Sequence, residues 1–188
     1  MRPRADVGGA FARTDPGRYQ RAADGSPYPA STRPDVVLTM LRLLDLAQGG
    51  TVLEIGTGSG FATAVLSRAV GDGGAVHSVD VDPGVVARAQ ELLAADGRTN
   101  VHLTAGDALR AFPPVGPVDR LVAFLSVAAE VPPLWVAAVR PGGLLVVPRR
   151  ADGRVVRHRL GPTDGVLRAE RAVEAVFAEH RSGRAPGT

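Results

Sequence analysis

The chain has 188 residues, 45% of them apolar and 4% aromatic, which suits one α/β domain with its own core. It has no cysteine, which excludes disulfides, thiol nucleophiles and thiolate metal sites, and its four histidines (His77, His102, His158, His180) stand too far apart for a metal-ligand pattern. The net charge of +3 is small and the flanks lack interleaved aromatics, which argues against a nucleic-acid binder.

All 22 basic residues are arginine, a bias expected of a GC-rich bacterial genome. Residues 1–33 carry six Arg and three Asp, residues 34–148 seven Arg and eleven acids, and residues 149–188 nine Arg and five acids. Basic flanks on an acidic centre suit an anionic substrate, and equally suit solvated arms. Arg2, Arg4, Asp6 and Arg13 interrupt any apolar leader, and no apolar run approaches a membrane span, so a cytoplasmic protein is expected.

Residues 1–33, rich in Gly, Pro, Arg and Asp, predict an irregular arm. Pro27, Pro29 and Pro34 forbid a regular helix through 26–34. A helix then starts at Pro34, with Thr32 or Arg33 at its cap and Val36, Val37, Met40, Leu41, Leu44 and Ala47 on its apolar face. Gln48-Gly49-Gly50 ends it. Val52, Leu53 and Ile55 make a buried strand, Gly56, Gly58 and Gly60 a turn, and Phe61 to Val70 a helix.

Strand, glycine turn and helix form the first unit of a nucleotide-binding α/β fold. A dinucleotide fingerprint requires a glycine or alanine where Phe61 stands. Glu54, two residues before Gly56, would repel a pyrophosphate and suits a ligand with a cationic ammonium and sulfonium. Ala75 to Val79 is a second strand ending at Asp80, where a carboxylate faces a ribose. A helix from Pro83 to Ala95 follows, capped by Asp82. The third strand, Asn100 to Thr104, leads to Asp107, across the same crevice and placed to accept from an adenine amino group. Val118 to Phe124 is the fourth strand, Pro132-Pro133 opens a helix through Val139, and Pro141-Gly142-Gly143 turns into a fifth strand, Leu144 to Val147. The alternation implies a parallel sheet with helices on both faces. The tail holds a strand at Arg154–Leu160 and a stretch, Val166–Phe177, that fits strand or helix.

The stretches V-L-E-I-G-T-G-S-G, V-H-S-V-D-V-D-P, N-V-H-L-T-A-G-D-A and V-P-P-L-W…R-P-G-G-L-L-V-V-P resemble the protein-L-isoaspartate O-methyltransferases, over roughly residues 26–150. The resemblance implies the Rossmann-like, doubly wound, mostly parallel α/β fold of the class I S-adenosylmethionine (SAM) methyltransferases. It implies SAM as cofactor, held by Glu54, Gly56, Thr57, Gly58, Ser59, Gly60, Asp80, Val81, Asp107 and Ala108, and no metal. It implies a peptide or protein substrate, with methyl transfer to an isoaspartate or aspartate carboxylate. Thr32 falls where that family keeps a serine against the substrate carboxylate, in an I-S-x-P context, and is the candidate catalytic residue. Phe61 stands where the family commonly has tyrosine, and Gly106-Asp107-Ala108 where it has G-D-G. Similar actinobacterial enzymes methylate an aspartate of a precursor peptide, so repair and peptide modification are both compatible. On this reading residues 34–181 form the methyltransferase domain and 182–188 a disordered tail.

A carboxylate is already ionised at neutral pH and needs no general base, so the lack of a Ser-His-Asp constellation does not count against an enzyme. The alternatives are a SAM methyltransferase of a small metabolite and a SAM-binding module without catalysis. A nicotinamide dehydrogenase is disfavoured by Phe61 and by the lack of an acid/base residue.

Overall fold

The computed structural model describes residues 2–111, 115–128 and 130–174. The expected domain end at 181 and tail at 182–188 lie outside them. Among the described residues, the strands are β1 (Thr51–Ile55), β2 (Ala75–Asp80), β3 (Val101–Ala105), β4 (Val118–Ala123), β5 (Val139–Arg149), β6 (Arg154–Leu160) and β7 (Leu167–Glu174). They form one sheet in the order β3-β2-β1-β4-β5-β6-β7. β1 to β5 are parallel, and β6 and β7 add an antiparallel edge. The helices are α1 (Val7–Ala12), α2 (Pro16–Gln20), α3 (Pro34–Leu43), α4 (Phe61–Val70), α5 (Pro83–Ala95) and α6 (Pro133–Ala137).

The strand period sorts side chains into two cores. Val52, Val76, Val122 and Val146 face one side with residues of α1 to α5. Leu53, Ile55, Leu121 and Leu145 face the other with Trp135 and Ala138. The helices expected on both faces are therefore unequally shared: α6 alone stands against α1 to α5 among the described residues.

The expectation of an irregular arm is corrected. Asp6 caps α1 by accepting from the Gly9 amide at 2.8 Å, and Asp15 caps α2 through the Gly17 amide at 2.9 Å, with Pro16 in the first turn. Neither helix is long enough to show a periodic apolar face. Tertiary contacts hold them: Val7, Ala10 and Tyr19 are buried, and Phe11 meets the Phe61 ring edge-on at 5.6 Å.

Other boundaries moved, among them the end of α6, which stops at Ala137 while Val139, expected in that helix, begins β5. α3 stops at Leu43 instead of running to Ala47, because Asp45 takes a left-handed φ of 49°. The Arg120 guanidinium donates to the exposed carbonyls of Leu44 (2.7 Å) and Asp45 (3.0 Å) at that helix end. Pro141-Gly142-Gly143 lies inside β5 as an irregularity in its pairing with β4, not as a turn before it. The described part of the ambiguous tail stretch is a strand, β7, paired with β6 from Leu160↔Leu167 to Arg154↔Glu174, and residues 175–177 of that stretch lie outside the described residues.

Candidate functional site

β1 lies between β2 and β4, so the connections leave the sheet in opposite directions at its carboxyl end and open a crevice there. Hydrogen bonds continue past the strand ends and tie the loops together. The Gly56 amide donates to the Val79 carbonyl at 2.8 Å, and the Gly106 amide to the Asp80 carbonyl at 2.8 Å. Asp80 accepts from the Gly58 amide through Oδ2 (2.9 Å) and from the Asp82 amide through Oδ1 (3.2 Å). Its carboxylate is held at the end of β2 with lone pairs left over. Asp107 accepts from the Leu109 amide (2.9 Å) and pairs with Arg110 at 3.3 Å.

The crevice is a cleft of about 460 Å³. Thr32, Gly56, Thr57, Gly58, Ser59, Asp80, Val81, Asp107 and Ala108 line it, so nine of the eleven residues singled out from the sequence come together. Glu54 and Gly60 do not line it. Gly60 begins α4 with a φ of 81°, and a Cβ there would stand 3.1 Å from the Ala89 Cβ; it lets α4 pack on α5.

The placement of Glu54 corrects its expected contact with a cationic ligand. The strand period turns its side chain under the glycine turn, where it is fully buried. Oε2 accepts from Thr63 Oγ1 (2.5 Å) and Ser78 Oγ (2.7 Å), and Oε1 has no partner among the described residues. Thr57 Oγ1 meets Ser78 Oγ at 2.6 Å, so that hydroxyl also belongs to the buried network. Burial pushes the Glu54 carboxyl up to about 7, against the lowering effect of the Ser78 and Thr63 hydrogen bonds and with a further rise from the Asp80 charge.

The second wall of the cleft is the arm. Ala30, Ser31 and Thr32 line it beside Gln20. Thr32 is not the helix cap: Arg33 takes that position and makes no side-chain cap bond. The Thr32 carbonyl accepts from Gln20 Nε2 at 2.7 Å. The Ala30 carbonyl presses on the glycine turn, 2.6 Å from where a Gly58 Cβ would stand, and Gly58 has a φ of 50°. Gly58 is therefore a glycine because the chain crosses itself there. Arg88 of α5 clasps the arm: Nη2 donates to the carbonyls of Tyr19 (3.0 Å) and Arg21 (2.7 Å), and the guanidinium lies 3.9 Å over the Tyr28 ring. Tyr19 Oη donates to Asp96 Oδ2 at 2.8 Å.

Sequence reasoning passed over several of these groups. Leu109 and Leu125 are exposed large apolar residues, and both line the cleft beside the exposed Val81, which the sequence had already singled out. They offer flat apolar walls beside two carboxylates, the chemistry of a site for a nucleoside. Trp135, fully buried, donates from Nε1 to the Ala108 carbonyl at 2.8 Å and anchors the loop that carries Asp107. Its signal was a lone tryptophan among prolines. Gln20, Ser31 and Arg88 gave no local signal. No group of three or more potential metal ligands occurs among the described residues, and no helix there is long and apolar enough to cross a membrane.

Comparison with known proteins agrees with this geometry. The family model described as protein-L-isoaspartate(D-aspartate) O-methyltransferase matches residues 24–178. Two protein-L-isoaspartate O-methyltransferases of Anaeromyxobacter dehalogenans are similar: one at 42% identity over 78% of this chain and 69% of its own length, the other at 44% over 62% and 54%. The match thus spans about half to about two-thirds of those relatives. In fold, the chain is similar to a Plasmodium falciparum protein of the same description solved with S-adenosyl-L-homocysteine, with a TM-score of 0.72, 18% identity and coverage of 92% of this chain and 88% of that one. The chain belongs to the protein-L-isoaspartate(D-aspartate) O-methyltransferase family.

Proposed function

We propose that this chain is a SAM-dependent O-methyltransferase that esterifies the side-chain carboxylate of an isoaspartate or aspartate in a peptide or protein. The cofactor supplies a methyl group made electrophilic by its sulfonium. The residues present fit such a ligand. Asp80 has acceptor capacity left for ribose hydroxyls, and Asp107 for an adenine amino group. Val81, Leu109 and Leu125 give apolar contact to a base, and the glycine turn lets the backbone come close.

One observation carries the choice of acceptor. Among the described residues, the titratable side chains lining the cleft are Asp80 and Asp107, with no His, Lys, Cys or Tyr. A phenol or amine acceptor has to lose a proton, and the described lining offers no group suited to take it at neutral pH. A carboxylate arrives ionised. Thr32, on the arm wall, donates a hydrogen bond that aims one carboxylate oxygen along the reaction line. Catalysis then rests on positioning and on excluding water, with the arm as the outer wall.

The test is incubation with SAM of an isoaspartyl peptide, its aspartyl isomer and a panel of small phenols, amines and carboxylic acids. A base-labile methyl ester on either peptide supports the reading, and the isomer preferred separates repair from peptide modification. Methylation confined to a small molecule, or to no compound at all, defeats it.

A further inference from the structure

Ser31 stands beside Thr32 on the arm wall of the cleft. Its Oγ is shut off from solvent and has no hydrogen-bond partner among the described residues. A buried, unpaired hydroxyl is destabilising and asks for an explanation. The segment around it is held on both sides: the Ala30 carbonyl abuts Gly58, and the Thr32 carbonyl accepts from Gln20 Nε2 at 2.7 Å. Ser31 is thus fixed in place by its neighbours while its own hydroxyl is left over. The residue as a whole is only half-buried and lines the cleft, which leaves its side chain free to change rotamer. Next to it α3, ten residues long, starts without any side-chain cap, and a bare helix start favours a negative group.

We propose that Ser31 is a second donor to the acceptor carboxylate, binding one of its oxygens while Thr32 binds the other. This rests on the carboxyl-methyltransferase reading above. A carboxylate has two oxygens and several lone pairs, so two adjacent hydroxyls on a clamped segment satisfy it better than one. Ser31 directly precedes Thr32, so the two hydroxyl residues stand together on the arm wall. The pair Ser31-Thr32 therefore makes this cleft more polar on its acceptor side and selects acceptors that present both carboxylate oxygens.

The test compares the wild type with Ser31→Ala and Ser31→Ile in three measurements: KM and kcat for the isoaspartyl or aspartyl peptide, affinity for S-adenosylhomocysteine, and melting temperature. Ser31→Ala is expected to raise the peptide KM about fivefold to tenfold, the loss of one hydrogen bond to a charged group. Product affinity stays unchanged. The melting temperature holds or rises, because an unpaired buried hydroxyl has gone; a structural role would lower it. Ser31→Ile gives at least as large a rise in KM. An unchanged peptide KM in both variants, with the wild type active, overturns the assignment of Ser31 alone. A weakened S-adenosylhomocysteine affinity with an unchanged peptide KM also overturns it, by moving Ser31 to the cofactor's carboxylate. A wild type that methylates neither peptide removes the functional reading, and this proposal with it.

Discussion

The two walls of the cleft are built in different ways. One wall is the set of loops after β1, β2 and β3, each carrying its own glycine or aspartate and joined by backbone bonds that extend the sheet. The other is the arm, held at the cleft by partners that Tyr19 and Tyr28 find far along the chain and by the Gln20 bond to Thr32 within the arm itself. The first wall is specified locally and would survive loss of the second. The arm wall is specified by tertiary contacts and depends on the first for its footing at Gly58. On the proposed function, the loops hold the cofactor and the arm holds the acceptor, so the walls can be broken separately.

Gly58→Val breaks both at once and has the largest effect. The residue sits at a φ of 50°, and its Cβ would fall 2.6 Å from the Ala30 carbonyl. Strain of about 3 kcal/mol or more follows, shared between the turn and the displaced arm. Calorimetry should show no S-adenosylhomocysteine binding, and the melting temperature should drop. A variant that folds and binds like the wild type would separate the walls completely.

Glu54→Gln probes what lies under the loop wall. The folded carboxyl titrates near 7, above its ordinary value of 4.5, so the folded state holds the proton more tightly. Its stabilising contribution is fully present below 4.5 and is lost as pH rises through 7, by about 3 kcal/mol in all. The wild type should therefore lose more melting temperature than Glu54→Gln between pH 5 and pH 8, in a pair of scans across roughly that range. Parallel curves would mean that Glu54 ionises normally.

Asp80→Ala removes the carboxylate proposed above as the acceptor for ribose hydroxyls, which also holds the Gly58 amide. Product affinity should fall by roughly 1–3 kcal/mol, with peptide KM little changed. Arg88→Ala is the matching cut on the arm side. It deletes carbonyl contacts to Tyr19 and Arg21, a long one (3.4 Å) to Ser59 of the glycine turn, and the Tyr28 stack, and should raise the peptide KM about tenfold, or about 1.4 kcal/mol, with a smaller loss of product affinity. Equal effects of the two variants on both ligands would erase the distinction between the walls.

The same contrast explains what could be read from the sequence. The loop wall was legible because its residues act at short range: the spacing of Gly56, Gly58 and Gly60 after an apolar run, and Asp80 and Asp107 at strand ends. Even there, strand alternation turned Glu54 inward, and the cause of Gly58 lay in Ala30, distant in sequence. The arm was not legible. Two five- or six-residue helices give no period, and Arg88 and Gln20 look like ordinary surface residues until the fold brings backbone carbonyls to them. Trp135 stood out only as a lone tryptophan among prolines, and its hydrogen bond to Ala108 needed the packing of α6 under the loop after β3.

The most direct test of the central claim sets Thr32→Ala beside Asp80→Ala and measures S-adenosylhomocysteine affinity and peptide turnover for each. A clean split is expected. Thr32→Ala should lower peptide turnover about tenfold or more, on the order of 1.4 kcal/mol in the barrier, with product affinity at the wild-type level, and Thr32→Ser should restore most of the rate. Asp80→Ala should lose product affinity. If Thr32→Ala changes only the melting temperature, or loses product affinity as Asp80→Ala does, the arm is not the acceptor wall and the division of the cleft proposed here is wrong.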